Sequence, residues 1–148
     1  MGNSLLDVLI VGAGPAGSAT AWHLARRGLR VSLVDRARFP RDKVCSEYLG
    51  PEAARLLAEL GVLARVEPAG APIRGTTVIG PRGASLTGTF ARAEVRPWRA
   101  TGLAVARRIL DAELAAAAVG AGATLREGRA VEALLHEGGG TCAGRWRA

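Results

Sequence analysis

Cysteine, histidine, lysine and aromatic residues are all scarce in this chain of 148 residues, and each shortage removes a class of function. Two cysteines, Cys45 and Cys142, cannot build a disulfide framework, and neither belongs to a CxxC pair. Two histidines, His23 and His136, occur without an H-x-x-H spacing or clustered carboxylates, so no metal-ligand set is expected. There is no G-x-S-x-G and no Ser, His, Asp order on which a hydrolase could rest. Aromatic residues make up 4%, too few for the stacking readers of a nucleic-acid surface. No apolar run approaches the ~18 residues of a membrane span. The N-terminal Met1-Gly2-Asn3-Ser4 lacks a basic leader, and Leu6 stands where a myristoylation signal needs Ser or Thr. A cytoplasmic location is the expectation.

What is present is a soluble, single-domain composition: 49% apolar, 22% charged, with 20 glycines and 7 prolines. The formal net charge is +7, carried almost wholly by arginine, Lys43 being the one lysine. The arginines are scattered, as a genome-wide compositional bias would leave them, and nowhere form a run of five or six like charges. Only Arg36, Arg38, Arg41 and Lys43 are dense, and Asp35 and Asp42 dilute them. That pattern suits a small phosphate-bearing ligand better than nucleic acid.

Along the chain, Asp7–Val11 is a short β-branched run of the kind that is buried on both faces of a parallel sheet. Gly12-Ala13-Gly14-Pro15-Ala16-Gly17 follows, then a helical stretch from Pro15 to about Arg27 with Ala21, Leu24, Ala25 and Gly28 on one face. Arg30–Asp35 is a second strand, completing a β-α-β unit. Residues 36–50 read as a long loop. A second helix from Pro51 presents Ala53, Leu56, Leu57 and Leu60 as its apolar stripe and ends at Gly61. Ile73–Ile79 and Ala84–Phe90 flank Gly80-Pro81-Arg82-Gly83 as a hairpin. Leu103–Ala106 reads as a strand and Arg107–Val119 as a helix with Leu110, Leu114 and Ala118 in register. Strands are expected at Ala123–Glu127 and Ala130–Leu135.

The glycine motif has the context its physics demands: a strand before, a helix after, and an acid at the end of the next strand. Gly12 allows the tight turn, Gly14 lets a pyrophosphate reach the backbone, and Gly17 lets the helix pack closely. The N–H groups of the first helical turn, around Pro15 and Ala16, face the phosphates. Asp35 falls where a ribose 2′-OH would be accepted and a 2′-phosphate repelled, which fits FAD or NAD and not NADP. Periodicity does not choose between those two.

Residues 5–60 resemble the N-terminus of the flavoprotein monooxygenase and geranylgeranyl reductase superfamily, whose FAD-binding fold is of the glutathione-reductase type. The resemblance rests on Gly12-Ala13-Gly14-Pro15-Ala16-Gly17 with Ala21, Gly28, Val31 and Asp35, and on Phe39-Pro40-Arg41-Asp42-Lys43-Val44-Cys45-Ser46-Glu47 with Leu49-Gly50-Pro51. Ser46 and Gly50 depart from the family's Cys-Gly-Glu and Leu-Ser-Pro. Gly102–Asp111 resembles a second FAD segment, in which an Arg four residues ahead of an Asp contacts the cofactor; Arg107 takes that place. The similarity extends over about residues 5–136.

The resemblance implies an α/β, Rossmann-like FAD-binding domain. Residues 1–148 would be its incomplete N-terminal part, with a substrate-side β insertion starting within 70–100. FAD would be held by Gly12, Gly14, Pro15, Ala16, Gly17, Asp35, Arg36, Arg41, Lys43, Cys45 and Arg107. Plainer readings accompany several of these. Arg41 and Lys43 can be solvated loop charges, Cys45 a small buried apolar residue, Glu47 a charge favouring the helix at Pro51, and Arg107 with Arg108 a surface pair. The implied activity is a FAD-dependent monooxygenase that uses NAD(P)H and O₂ to hydroxylate a small organic substrate. A geranylgeranyl-reductase-like C=C reductase and a non-catalytic dinucleotide-binding fragment are the alternatives. The family's later Gly-Asp motif occurs nowhere in these 148 residues, so the chain is expected to be a fragment of a longer protein. No catalytic residue, substrate or oligomeric state can be assigned from the sequence.

Overall fold

The computed structural model of the chain describes residues 5–137 and 145–147. Strand β1 (Val8–Val11), helix α1 (Pro15–Ala25) and strand β2 (Val31–Asp35) form the expected β-α-β unit. The chain then runs without regular structure to a two-residue strand, β3 (Tyr48–Leu49), where the sequence suggested only loop. Helices α2 (Pro51–Glu59) and α3 (Leu63–Val66) and a 3₁₀ turn lead to β4 (Ala71–Ile73). The hairpin β5 (Gly75–Ile79) and β6 (Ser85–Thr89) is as expected, closed by Gly83 at φ +83°. Strand β7 (Gly102–Ala104), helix α4 (Arg107–Gly120) and strand β8 (Thr124–Glu127) follow. Beyond Arg129 the expected strand Ala130–Leu135 is absent: residues 130–134 carry no regular structure, and the strand, β9, is Leu135–Glu137, paired with β10 (Arg145–Arg147). Apolar residues such as Val131, Leu134 and Leu135 suggest a strand, but one begins only where a partner supplies its hydrogen bonds.

Three strands make the parallel sheet, in the order β1-β2-β8, with Leu33 beside both Ile10 and Leu125. Central β2 is buried along its whole length, Ser32 and Asp35 included. Helices α1 and α4 pack together on the face of Val31 and Leu33, meeting through Ala21 and Ala118, both fully buried. The opposite face is more open, and Val11 is 57% exposed on it. A second cluster joins Leu57, Leu60, Val62, Val66, Leu103, Val105, Leu110 and Leu114 around β7, the centre of the antiparallel sheet β3-β7-β4. The stripe of α2 is Ala54, Leu57 and Leu60 rather than the expected Ala53, Leu56, Leu57 and Leu60, and Leu56 is 49% exposed. Docking against β7 and α3 buries Ala54 in place of Leu56 while keeping Leu57 and Leu60 in the core. The helix stops fall where glycine was expected to place them, with Gly28 at φ +81° and Gly61 at φ +69°.

Candidate functional site: the glycine turn and its two arginines

β1 ends in Gly12, whose φ of +100° is open only to glycine without strain, and whose N–H bonds the Val34 carbonyl at 2.8 Å. The chain then turns straight into α1. A Cβ on Gly17 would stand 1.9 Å from the Gly12 carbonyl oxygen and 3.3 Å from Ile10, so helix and turn touch as only glycine permits. Gly14 is the N-cap and offers no side chain to the first-turn N–H groups, Pro15 occupies N1, and no acid lies in that turn. The positive end of the helix is therefore left to an external acceptor. Among the described residues nothing crowds Gly14. The nearest groups to a Cβ there are Arg107 Nη2 at 3.7 Å and Arg41 Nη2 at 3.9 Å.

Asp35, at the end of β2, is buried and already engaged. Its Oδ2 accepts the Ala13 N–H at 2.8 Å, its Oδ1 accepts the Ala37 N–H at 2.9 Å, and Arg41 Nη2 lies 3.9 Å away. The carboxylate thus ties the glycine turn to β2, a second task beside the ribose contact expected of it. Each oxygen retains a lone pair for a further donor.

Arg107 opens α4, an unfavourable end for a cation, and its guanidinium grips Asp111 one turn later, Nε–Oδ1 2.7 Å and Nη2–Oδ2 2.9 Å. These hydrogen bonds raise its pKa further above the ordinary arginine value. Arg41 reaches the same carboxylate from the loop, with Nη1 3.0 Å from Asp111 Oδ2, and its guanidinium lies 5.0 Å from the Phe39 ring. Among the described residues no acceptor aligns with the Nη1 hydrogens. Asp111 itself is fully buried between two apolar positions of α4. The sequence reading passed over its role, although the Arg107–Asp111 spacing is that of an i,i+4 pair.

The remaining candidates divide. Arg36 and Lys43 are exposed. Cys45 is exposed too, not the small buried residue of the plainer reading, because the loop runs over the surface and its thiol meets polar groups. The Glu47 backbone N–H and the Arg107 guanidinium lower its pKa. Glu47 does not serve the α2 terminus; its carboxylate accepts the Arg107 N–H at 3.3 Å and its carbonyl accepts the Val105 N–H at 3.0 Å. Holding both contacts, it adopts φ 57°, the left-handed region rare for a side-chain-bearing residue. The loop is thereby pinned to the start of α4. His23 is exposed and meets Trp22 edge-on. Trp98 is 48% exposed. Cys142 lies outside the described residues.

Among the described residues no group of His, Cys, Asp and Glu could hold a metal ion, and no helix is long and apolar enough to cross a membrane. A concavity of about 740 Å³ lies at the far ends of α1 and α4, lined by Trp22, Arg26, Leu60, Arg65, Glu113 and Ala117 among others. The glycine turn is at the opposite ends of those helices.

A positive-φ turn, a bare helix N-terminus, and two guanidiniums within 4 Å of the Gly14 Cβ position fit a dinucleotide pyrophosphate. Comparison with known proteins agrees. Over 143 residues the chain is 38% identical to the menaquinone reductase of Mycolicibacterium smegmatis, covering 93% of this chain and 32% of that protein. It is 36% identical over 134 residues to conditioned medium factor receptor 1 of Dictyostelium discoideum, 87% of this chain and 26% of that one. The myxobacterial chondrochloren halogenase CndH, a FAD-dependent halogenase, superposes with a TM-score of 0.80 at 32% identity, covering 96% of this chain and 33% of its own. The chain thus spans about a quarter to a third of the length of these proteins. The model of the FAD binding domain family FAD_binding_3 matches residues 5–145, and the chain belongs to that family.

Proposed function

We propose that residues 8–127 form the cradle for the ADP half of FAD within a longer flavin-dependent oxidoreductase. The observation that carries this is the convergence of Arg41 and Arg107 on an uncapped glycine turn. Gly14, Ala16 and Gly17 would offer the pyrophosphate backbone N–H groups and the helix dipole, with Gly12 making the turn and Pro15, which has no N–H to give, opening the helix. Arg41 and Arg107 would flank it, and Asp35 would accept from the ribose. Arg36, Lys43 and Cys45, exposed along the 36–47 loop, would line the path toward the flavin. Bound FAD supplies the redox chemistry, and the chain's residues bind and orient it. Residues 70–100, with the projecting hairpin, would begin the substrate-side insertion.

For the longer protein, the family supports a small-molecule substrate, and NAD(P)H is the proposed reductant. Hydroxylation with O₂ was the first expectation from sequence. The 38% identity to a menaquinone reductase over 93% of the chain favours the alternative, reduction of a C=C bond in a prenyl-type substrate without O₂. Oxygen uptake on mixing a completed protein with NADH or NADPH and substrate separates the two: stoichiometric uptake supports the monooxygenase, anaerobic turnover the reductase.

The cradle itself is tested by the visible spectrum of the purified chain after FAD addition and desalting. Retained flavin absorbance is the expected result, reduced in Gly14→Val, whose side chain would occupy the space beside the two arginines. A folded wild-type chain that keeps no flavin refutes the reading.

A further inference from the structure

We propose that Asp111 is the positioning residue of the phosphate subsite, a carboxylate that acts on the cofactor only through Arg41 and Arg107; this rests on reading the glycine turn as the FAD cradle. Asp111 is 0% exposed and lies at a position of α4 flanked by the core residues Leu110 and Leu114. Its Oδ1 accepts from Arg107 Nε at 2.7 Å, and its Oδ2 accepts from Arg107 Nη2 at 2.9 Å and faces Arg41 Nη1 at 3.0 Å. Arg41 comes from the loop after β2 and Arg107 from the start of α4, so this one carboxylate brings together two cations from distant parts of the chain. Both then present an Nη2 within 4 Å of the Gly14 Cβ position.

Charge alone does not explain the arrangement. Arg41 and Arg107 are matched by Asp35 and Asp111, so the four side chains sum to zero, and each carboxylate repels an incoming phosphate. What Asp111 contributes is direction. A guanidinium held along one edge by a carboxylate has its other N–H bonds fixed in its plane, ready for a phosphate oxygen. Unheld, two long side chains of like charge would separate and lose their aim.

The two accounts give opposite signs for Asp111→Asn. Removing a negative charge leaves the site more positive and would tighten FAD binding if net charge governed affinity. Removing a positioner weakens it. The experiment is calorimetric titration of the full chain with FAD, and with ADP against adenosine as the phosphate-bearing and phosphate-free probes. The expected result for Asp111→Asn is a loss of ~10–100-fold for FAD and ADP, with adenosine unchanged. The double variant with Arg107→Gln should lose less than the product of the two single losses, since part of the Asp111 effect runs through Arg107 and the rest through Arg41. Asp111→Asn that binds FAD as well as or better than the wild type, or that loses adenosine and ADP equally, overturns the proposal.

Arg107→Lys and Arg41→Lys keep the charge and leave Asp111 paired, and so provide a test should Asp111→Asn not fold. Each is expected to lose about tenfold in FAD affinity, and unchanged affinity overturns the proposal. A wild-type chain that binds neither FAD nor ADP removes the cradle reading and the positioning role with it. Tight wild-type binding with insensitive variants removes the positioning role alone.

Discussion

Single residues at the glycine turn carry separable duties, and Gly17 is the plainest case. The 1.9 Å between its would-be Cβ and the Gly12 carbonyl cannot be relieved by a side-chain rotation, because both partners are backbone. Gly17→Ala should cost at least about 1–3 kcal/mol by overpacking, read as a lower urea midpoint, and should also reduce flavin retention. An unchanged midpoint would show that α1 and the turn are not in contact. At Cys45 the Glu47 N–H, and then the Arg107 guanidinium, favour the thiolate. Its alkylation by iodoacetamide should therefore reach half-maximal rate at a lower pH than that of a small free thiol, and Arg107→Gln should move the midpoint upward. A midpoint at or above the free thiol's contradicts the contact.

Among the elements, β1 depends on its neighbour at the entry as well as along the sheet. Asp7 accepts from the Arg30 side chain at 2.7 and 3.0 Å and from its backbone N–H at 2.7 Å, which holds the carboxyl at about 2, below its ordinary value of 3.8. A depressed folded-state pKa means that the contribution is complete above about pH 4 and disappears as the pH falls toward 2. Asp7→Asn should thus lower the urea midpoint at pH 7, and the difference from wild type should shrink to nothing as the pH falls through that range. A difference that persists at pH 2 would mean that the pair is not its source. Helix α2 shows how element-level patterning is overruled: Leu56 lies toward solvent because the contact with β7 and α3 selects the arc of Ala54, Leu57 and Leu60. The same applies to β9, which starts at Leu135 although the expected strand began at Ala130.

At the scale of the molecule, α4 is the spine that joins two cores. Leu110 and Leu114 belong to the cluster around β7, Ala118 to the one beneath the parallel sheet, and Trp22 packs against both. Leu114→Ala should cost about 2–5 kcal/mol and lower the stability of both clusters together. Unfolding followed by far-ultraviolet circular dichroism and by tryptophan emission should then show coincident, equally shifted transitions. Two separated transitions would mean that the β7 cluster and the parallel sheet unfold independently. The same helix carries Arg107 and Asp111 at its start, so packing of the core and the aim of the proposed phosphate subsite would depend on one element.

The strand, turn, helix and strand of residues 8–35 were legible in the amino-acid sequence because their determinants are local. Gly12, Gly14 and Gly17 state the backbone conformation directly, and the short apolar run of β1 reads as a strand. The structure leaves one of its faces open, with Val11 57% exposed, where burial on both faces was expected. Arg107 was legible through resemblance, and the helix stops at Gly28 and Gly61 through backbone freedom. Tertiary structure alone decided the rest. Nothing in the spacing of α4 says that Asp111 is buried, since its burial requires Arg41 to arrive from a loop that local propensity leaves without form. Nor does the end of β2 reveal that Asp35 binds the N–H groups of Ala13 and Ala37, or that Glu47 is held in the left-handed region by contacts with Val105 and Arg107. A charge becomes a positioned charge only when partners distant in sequence close around it, and periodicity carries no information about that closure.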